Sequence, residues 1–187
     1  CRFAYSGMLS ASEESVDILS LWDELNDIEA YAEHVTQLVA EWTRNAGIVF
    51  LKNIRRVSFM ESVMAKNAIE GSNAWDRLFV KGASHVFDQP EFSDIRRASS
   101  LLKEFEIKDG LVECLSRDWQ DDRTHVYIGS ETANDVFAEM SIVVKKVSFQ
   151  KRPMGCVAVI GPLRMEYERA VDVVTRTADS ITEILNR

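Results

Sequence analysis

The C-terminal segment constrains the fold most strongly, because its apolar residues repeat with the period of an α-helix. Apolar side chains recur there at steps of three and four residues, a pattern that buries one long helix face. Before it, residues 155–160 are typical of a strand, Gly161 ends that strand, and Pro162 lies near the first helical position, where its fixed φ suits a helix. The predicted apolar face contains Tyr167, Ala170, Val171, Val174, Ala178, Ile181 and Leu185.

Short β-branched runs predict the strands that accompany this helix. Residues 141–148 and 155–160 are separated by the turn 151–153, and two strands joined in this way usually pair antiparallel. Residues 78–80 and 126–128 are further short apolar runs, each soon followed by a glycine. The pattern therefore predicts short strands, of which 141–148 and 155–160 form an antiparallel pair.

The N-terminal half is dominated by helical periodicity. Residues 20–47 predict one helix that ends at Gly47, with an apolar stripe along one side. Residues 48–51 are compatible with a short strand, but apolar steps of three and four continue through them, and a second helix over 48–69 is favoured. The polar run 116–124 is the predicted domain boundary. The stripe of the first helix contains Leu25, Ile28, Ala32, Val35, Val39 and Trp42.

The charge balance bears on the partners of the chain. Its 187 residues are 46% hydrophobic and 28% charged, the mixture of a soluble globular protein, and the net charge is −8. An acidic surface repels phosphate backbones, so any DNA contact is expected to come from other residues. Acidity that serves only solubility is the simpler alternative. Nothing approaches the roughly 18 uninterrupted apolar residues of a membrane span, and no signal-peptide pattern is present.

Three cysteines lie far apart, at Cys1, Cys114 and Cys156. Their odd number and wide spacing argue against a disulfide framework and against a zinc knuckle, and agree with a reducing cytoplasm. Because the chain begins with Cys1 rather than Met, two interpretations stay open: the acylated first residue of a processed lipoprotein, or a fragment of a longer chain. The fragment is favoured.

The residues that could carry catalysis do not form a recognisable pattern. Nucleophilic catalysis needs a Ser or Cys beside a His base, and no nucleophile elbow surrounds any serine. His34 is instead expected on the polar side of a helix, and His85 and His125 in loops or at strand ends. Asp121, Asp122 and His125 could hold a metal, but a solvated charged linker is the commoner arrangement. No glycine cluster suggests a phosphate loop. The sequence therefore predicts no catalytic residues, no cofactor and no metal.

Two basic features stand out against the acidic background. Lys145, Lys146, Lys151 and Arg152 form a cluster that could touch DNA or a chaperonin, although the solvated rim of a hairpin is favoured. Arg164 is predicted in the first turn of the last helix, where the helix dipole disfavours a cation. An ion pair or a carbonyl contact that fixes the helix start is therefore expected for Arg164.

Three patches together resemble one family of bacterial repressors. Residues 157–174 resemble the C-terminal signature of the HrcA heat-shock repressors, residues 78–115 contain a matching Q-P-E-F motif, and residues 126–131 resemble the strand that opens the family's final segment. The chain departs from the family pattern at 145–147 and at Leu163. The matching signature residues are Gln89, Pro90, Glu91, Phe92, Ile160, Gly161, Pro162, Arg164, Met165 and Tyr167.

The resemblance implies an α+β architecture. A helical dimerisation module would be inserted in a GAF-like antiparallel sheet with helices, and a long C-terminal helix would close the fold. Residues 1–20 would be an N-terminal stub, 21–123 the mostly helical inserted dimerisation region, and 124–187 the C-terminal half of the GAF-like domain.

The resemblance also implies a function. The chain would supply dimerisation and regulation to a cytoplasmic repressor of heat-shock chaperone operons, with no enzymatic activity and no membrane attachment. It would act as a homodimer, with operator DNA bound by a missing N-terminal winged-helix domain, and the chaperonin is a further candidate partner. A two-fold protein matches a two-fold operator. The alternatives are a GAF-like small-molecule-sensing or signalling domain and, motivated only by Cys1, a lipoprotein domain.

Overall fold

The computed structural model describes residues 18–25, 27–52, 77–87, 99–101, 103, 109–117, 119, 121–132 and 134–187. None of the helices described there is long and apolar enough to cross a membrane. In chain order the elements are α1 (Ile18–Leu25), α2 (Ile28–Thr43), β1 (Ala46–Leu51), β2 (Arg77–Lys81), α3 (Ala83–Phe87), α4 (Asp109–Ser116), β3 (His125–Ile128), two 3₁₀ turns (Gly129–Thr132 and Asp135–Phe137), β4 (Met140–Phe149), β5 (Arg152–Pro162) and α5 (Tyr167–Asn186).

The strands form one antiparallel sheet in the order β2-β1-β5-β4-β3. The predicted hairpin is confirmed: β4 pairs with β5 along its length. Its turn lies at Gln150 and Lys151, which have φ values of 48° and 65°. Two positive φ values in succession match the twist that a tight hairpin needs. The turn is therefore centred before the predicted 151–153, and Arg152 already belongs to β5.

One side of the sheet, called face A here, is covered by α1, α2 and α5. Its central side chains include Val49, Val143 and Val159, all fully buried. The long periodic face of α5 packs here as predicted, with Ala170, Val174, Ala178, Ile181 and Leu185 in the core, together with Thr177 and Ile184.

The opposite side, called face B here, is also buried. Ile48, Ile142 and Ala158 lie at its centre, and α3, α4 and the second 3₁₀ turn cover it. Because both sides are packed, β1 is apolar and buried at every position. The sheet is therefore the middle layer of a three-layer α+β fold.

Two expectations for the N-terminal half are wrong. The helix predicted over 20–47 is two helices, because Asp27 is an N-cap whose side chain accepts a hydrogen bond from the N–H of Glu29 at 2.9 Å. α2 then ends at Thr43, and Gly47 lies inside β1 rather than stopping a helix. The helix favoured over 48–69 is wrong for 48–51, which are strand; residues 53–69 lie outside the described residues.

The GAF-like antiparallel sheet with a long final helix is confirmed. Two of its strands, β1 and β2, come from residues 21–123 and pair with each other, and β1 pairs with β5. The limits of the inserted dimerisation region stay a prediction.

Candidate functional site at the junction of β5 and α5

The C-terminal signature residues meet where β5 ends and α5 begins. Gly161 and Pro162 are the last residues of β5 and pair with the first residues of β4. The N–H of Met165 then donates to the Pro162 carbonyl at 3.1 Å and closes a turn, and α5 begins at Tyr167. Pro162 therefore ends a strand. The prediction that it lies near the first helical position is wrong, because residues 163–166 separate it from the helix.

Arg164 lies in that turn and is exposed. Arg164 precedes the helix, so the prediction that it lies in the first helical turn, where the dipole disfavours a cation, is wrong. Glu166 occupies the N-cap position without a side-chain cap hydrogen bond, and Glu168 lies in the first turn, where the dipole favours negative charge. The contact predicted to fix the helix start through Arg164 stays a prediction.

Gly161 allows the loop after α2 to approach the sheet closely. A Cβ at Gly161 would lie 2.2 Å from Oδ1 of Asn45 and 3.1 Å from Sδ of Met165. Asn45 is 5% exposed, and its amide donates to the carbonyl of Thr43 at 2.7 Å. The signature glycine is therefore explained by a close approach, because any larger residue would have to displace a buried amide.

The Tyr167 hydroxyl ties the turn to the sheet. It donates to the carbonyl of Leu163 at 2.5 Å and accepts from Oγ of Ser141, which is 2.6 Å away. Ser141 is fully buried near the start of β4. The hydroxyl thus joins the start of α5, the preceding turn and β4 at one point.

The structure therefore brings Gly161, Met165 and Tyr167 together with two partners, Asn45 and Ser141. Sequence reasoning missed both partners. The available signal was a single polar residue at the edge of an apolar run, which is too common to single out. The other signature residues, Gln89, Pro90, Glu91 and Phe92, lie outside the described residues.

A row of polar side chains on α5, called the polar seam here, fastens the helix to the sheet beyond the junction. Asp179 pairs with Nζ of Lys145 at 2.6 Å, and the hydroxyl of Thr182 accepts from the N–H of Ser148 at 3.2 Å. The members are three or four residues apart, so they share one side of the helix. They are Thr175, Asp179, Thr182 and Asn186.

The predicted basic cluster is divided between the two faces of the sheet. Lys145, with a side chain 14% exposed, pairs with α5 on face A. Lys146, with a side chain 9% exposed, turns to face B and pairs with Asp122 at 2.9 Å, because successive strand residues point to opposite faces. Only Lys151 and Arg152 fit the predicted solvated rim, since both are exposed.

The segment predicted as a polar linker, 116–124, is fastened to face B by a tryptophan. The indole N–H of Trp119 donates to the carbonyl of Leu115 at 2.8 Å, and the Trp119 carbonyl accepts from Nζ of Lys146 at 3.1 Å. Nζ of Lys52 lies 4.4 Å from the centre of the indole ring, within range of a cation–π interaction. Trp119 thus connects this segment to β1 and β4.

The surroundings of Asp121 and Cys156 displace the pKa values of both groups. Arg123 donates to Asp121 from its side chain at 2.6 Å and from its backbone at 2.8 Å, and these bonds lower the pKa of Asp121 to about 2. Burial raises the pKa of Cys156 to about 12, so the thiol stays protonated and is a poor nucleophile.

His34 is exposed on α2 and His125 begins β3, as predicted. The prediction of a loop or strand end for His85 is wrong, because His85 lies in the short helix α3. Across the described ranges, no three His, Cys, Asp or Glu side chains meet in a way that could hold a metal.

The fold and the junction define a three-layer α+β domain of GAF-like type. A family model described as the HrcA protein C-terminal domain matches residues 51–171. The chain therefore belongs to the HrcA family, as its signature residues predicted.

Curated relatives agree with this assignment. A protein of Natranaerobius thermophilus named heat-inducible transcription repressor HrcA is 30% identical over 134 residues, which are 72% of this chain and 38% of that protein. The protein of the same name from Geobacter sulfurreducens is 27% identical over 175 residues, which are 94% of this chain and 49% of that protein. The chain thus spans half or less of these relatives.

A solved structure supports the fold alone. A crystal structure of a hypothetical protein superimposes with a TM-score of 0.62 at 14% identity, and the match covers 84% of this chain and 70% of that one.

We expect Gly161→Ala to lower the free energy of unfolding by about 1–3 kcal/mol, because the new methyl group overlaps the Asn45 amide. Asn45→Ala alone should cost about 1 kcal/mol through its lost hydrogen bond to Thr43. In the double variant the overlap is gone, so its loss should be smaller than the sum of the two single losses. Urea denaturation followed by circular dichroism measures all three. Simple additivity would show that the close approach does not explain the glycine.

Proposed function

We propose that this chain is the dimerising and regulatory portion of a repressor of heat-shock chaperone operons, and that it is not an enzyme. The observation that carries the proposal is the HrcA C-terminal family match over residues 51–171. The names of the relatives supply the activity, heat-inducible repression of transcription. In the proposal the protein acts in the cytoplasm as a homodimer, and the chaperonin is a further partner.

The charge of the chain supports this division of labour. With a net charge of −8, these residues are poorly suited to attract a phosphate backbone. The lysines of β4 are engaged with Asp179 and Asp122. We therefore place the operator contacts in a winged-helix domain that these 187 residues do not include. A dimer would hold two such domains at the spacing of an inverted repeat.

The small-molecule sensor is the weaker candidate. It needs a pocket between the sheet and a helical layer, with converging polar groups. On face B the described core positions are filled by packed apolar side chains such as Phe50, Phe137 and Ile160. The arrangement of the described residues therefore favours a packed regulatory domain.

Dimerisation is the directly testable part of the proposal. We expect the 187-residue chain to sediment as a dimer at tens of micromolar, measured by sedimentation velocity over a dilution series. A second assay fuses the chain to a DNA-binding domain that represses a reporter only as a dimer, and this fusion should restore repression. The control is the same domain fused to a monomeric protein of similar size. A chain that stays monomeric in both assays would contradict the proposal.

A further inference from the structure

Two lysine ammonium groups meet at Trp119, at the end of face B nearest the hairpin turn. Nζ of Lys52 lies 4.4 Å from the centre of the indole ring, and Nζ of Lys146 donates to the Trp119 carbonyl at 3.1 Å. Nζ of Lys52 is also 6.0 Å from the centre of the Phe50 ring, which belongs to the core of face B. Two positive charges therefore share one small area of a chain whose net charge is −8.

The ammonium group of Lys146 is buried, but its anionic partner is not. The side chain of Lys146 is 9% exposed, whereas the side chain of Asp122, whose carboxylate lies 2.9 Å from Nζ, is 91% exposed. A buried cation needs an anion beside it, because an unpaired charge in the interior is costly. The exposed carboxylate gains little from the pair, since water solvates it almost as well. Lys146 thus requires an oxyanion, but not the particular one that Asp122 supplies.

Lys52 is half-buried, and no carboxylate of the described residues forms an ion pair with its Nζ. Its charge is felt in the interior: burial raises the pKa of Cys156 to about 12, and the charge of Lys52 opposes this shift. The indole ring of Trp119 stabilises the ammonium group in part through the cation–π contact. A ligand that carries two negative charges would give an ion pair to Lys52 and to Lys146 together.

A third polar group on face B has no partner. His125 lies opposite Val144, which is two residues from Lys146 on β4 and therefore on the same face. Nε2 of His125 is buried, and it has no hydrogen-bond partner among the described groups. Buried nitrogen atoms of this kind are rare in proteins. When Nε2 carries the proton, it can donate to an oxyanion.

We propose that Lys52 and Lys146 bind a small dianion beside Trp119, and that the carboxylate of Asp122 occupies part of this site until the ligand displaces it. A dicarboxylate and a phosphate ester share this chemistry. The exposed carboxylate vacates the position that one anionic oxygen takes, and the site lies at the rim of face B rather than in its packed core. The site goes beyond the proposed function and does not depend on it. Binding would detach Asp122, and with it one attachment of segment 116–124 to β4.

Titration of the full chain with malonate and with inorganic phosphate tests this site. The reporter is the NMR signal of the Trp119 indole N–H, identified among the four tryptophans by a Trp119→Phe variant. We expect a saturable shift with at least one of the two dianions, and the tighter one distinguishes a dicarboxylate from a phosphate ester. Lys146→Met should weaken binding at least about tenfold, and Lys52→Met should weaken it severalfold. Asp122→Asn removes the competing carboxylate and should tighten binding about twofold to fivefold.

The controls separate a site from a general effect of salt. Lys151→Met removes an exposed cation of the hairpin turn and should leave the dissociation constant unchanged. Acetate and chloride at the same ionic strength should bind more weakly than the dianions. A shift that persists in Lys146→Met, or that chloride reproduces, would overturn the site. The absence of a saturable shift in both the wild type and Asp122→Asn would also overturn it, while the proposed function stands. Asp122→Asn changes an exposed side chain, so its result decides the matter if Lys146→Met folds poorly.

Discussion

Replacing Gly155 by alanine is expected to lower the free energy of unfolding by about 3 kcal/mol, the upper end of the cost of overfilling a packed core. Gly155 lies in β5, between Leu51 of β1 and Val147 of β4. A Cβ at this position would lie 2.0 Å from the carbonyl oxygen of Phe50 and 3.0 Å from Cα of Leu51. The obstacle is the backbone of the neighbouring strand, so relief requires the central strands to separate.

The contrast with Gly161 makes the test specific. A Cβ at Gly161 would meet the side chain of Asn45, which a second substitution removes. A Cβ at Gly155 would meet the backbone carbonyl of Phe50, which no side-chain substitution removes. Urea denaturation should therefore show that Leu51→Ala, which shortens the other nearby side chain, gives no rescue in the double variant. A loss below about 1 kcal/mol for Gly155→Ala would show that β1 and β5 are less closely apposed than described.

Sequence-based prediction worked best for elements that bury only one face and for elements whose ends carry a glycine or a turn. α5 has one buried face and one solvated face, so its period was visible and its core residues were identified. β3, β4 and β5 are β-branched runs near glycines or a turn, and all three were predicted. The Gly161 to Tyr167 signature correctly located the junction, because it rests on several matching residues.

The sequence prediction for β1 was wrong for a physical reason. Helices cover both faces of the sheet, so this strand is apolar at every position and lacks the alternation that identifies a half-buried strand. Its apolar residues continue in steps of three and four into the next segment, which favoured a helix. The prediction for Pro162 was wrong for a different reason. Proline is tolerated both at the end of a strand and at the start of a helix, and only the position of the turn distinguishes these two places.

The partners of the candidate site lay beyond sequence reasoning because they come from distant segments. Asn45 reaches Gly161 because β1 pairs with β5, and that pairing was not predicted. The polar seam likewise depends on the register of α5 against β4, since Lys145 meets Asp179 only in this packing. Periodicity shows which side of an element is buried, but not which residue it meets.

Replacing Ile181 by alanine is expected to lower the free energy of unfolding by about 2–5 kcal/mol, because Ile181 is fully buried in α5 against face A and a cavity would remain. Ile181→Val removes one methylene group and should cost about 0.5–1.5 kcal/mol. Glu183→Ala, at an exposed site that forms a surface ion pair with Arg187 at 3.0 Å, should change stability by no more than about 0.5 kcal/mol. Chemical denaturation of the three variants measures the series.

The order of these losses tests how α5 is held. Two kinds of contact fasten the helix to the sheet: the apolar row that contains Ile181, and the polar seam that contains Asp179. Asp179 is 61% exposed, so water screens its ion pair with the largely buried Lys145, and the pair should contribute about 1 kcal/mol at most. Packing should therefore contribute most of the stability, and the loss in free energy of unfolding should be severalfold larger for Ile181→Ala than for Asp179→Ala. Similar losses for the two variants would mean that the seam, rather than the core, fixes the helix that follows the signature junction.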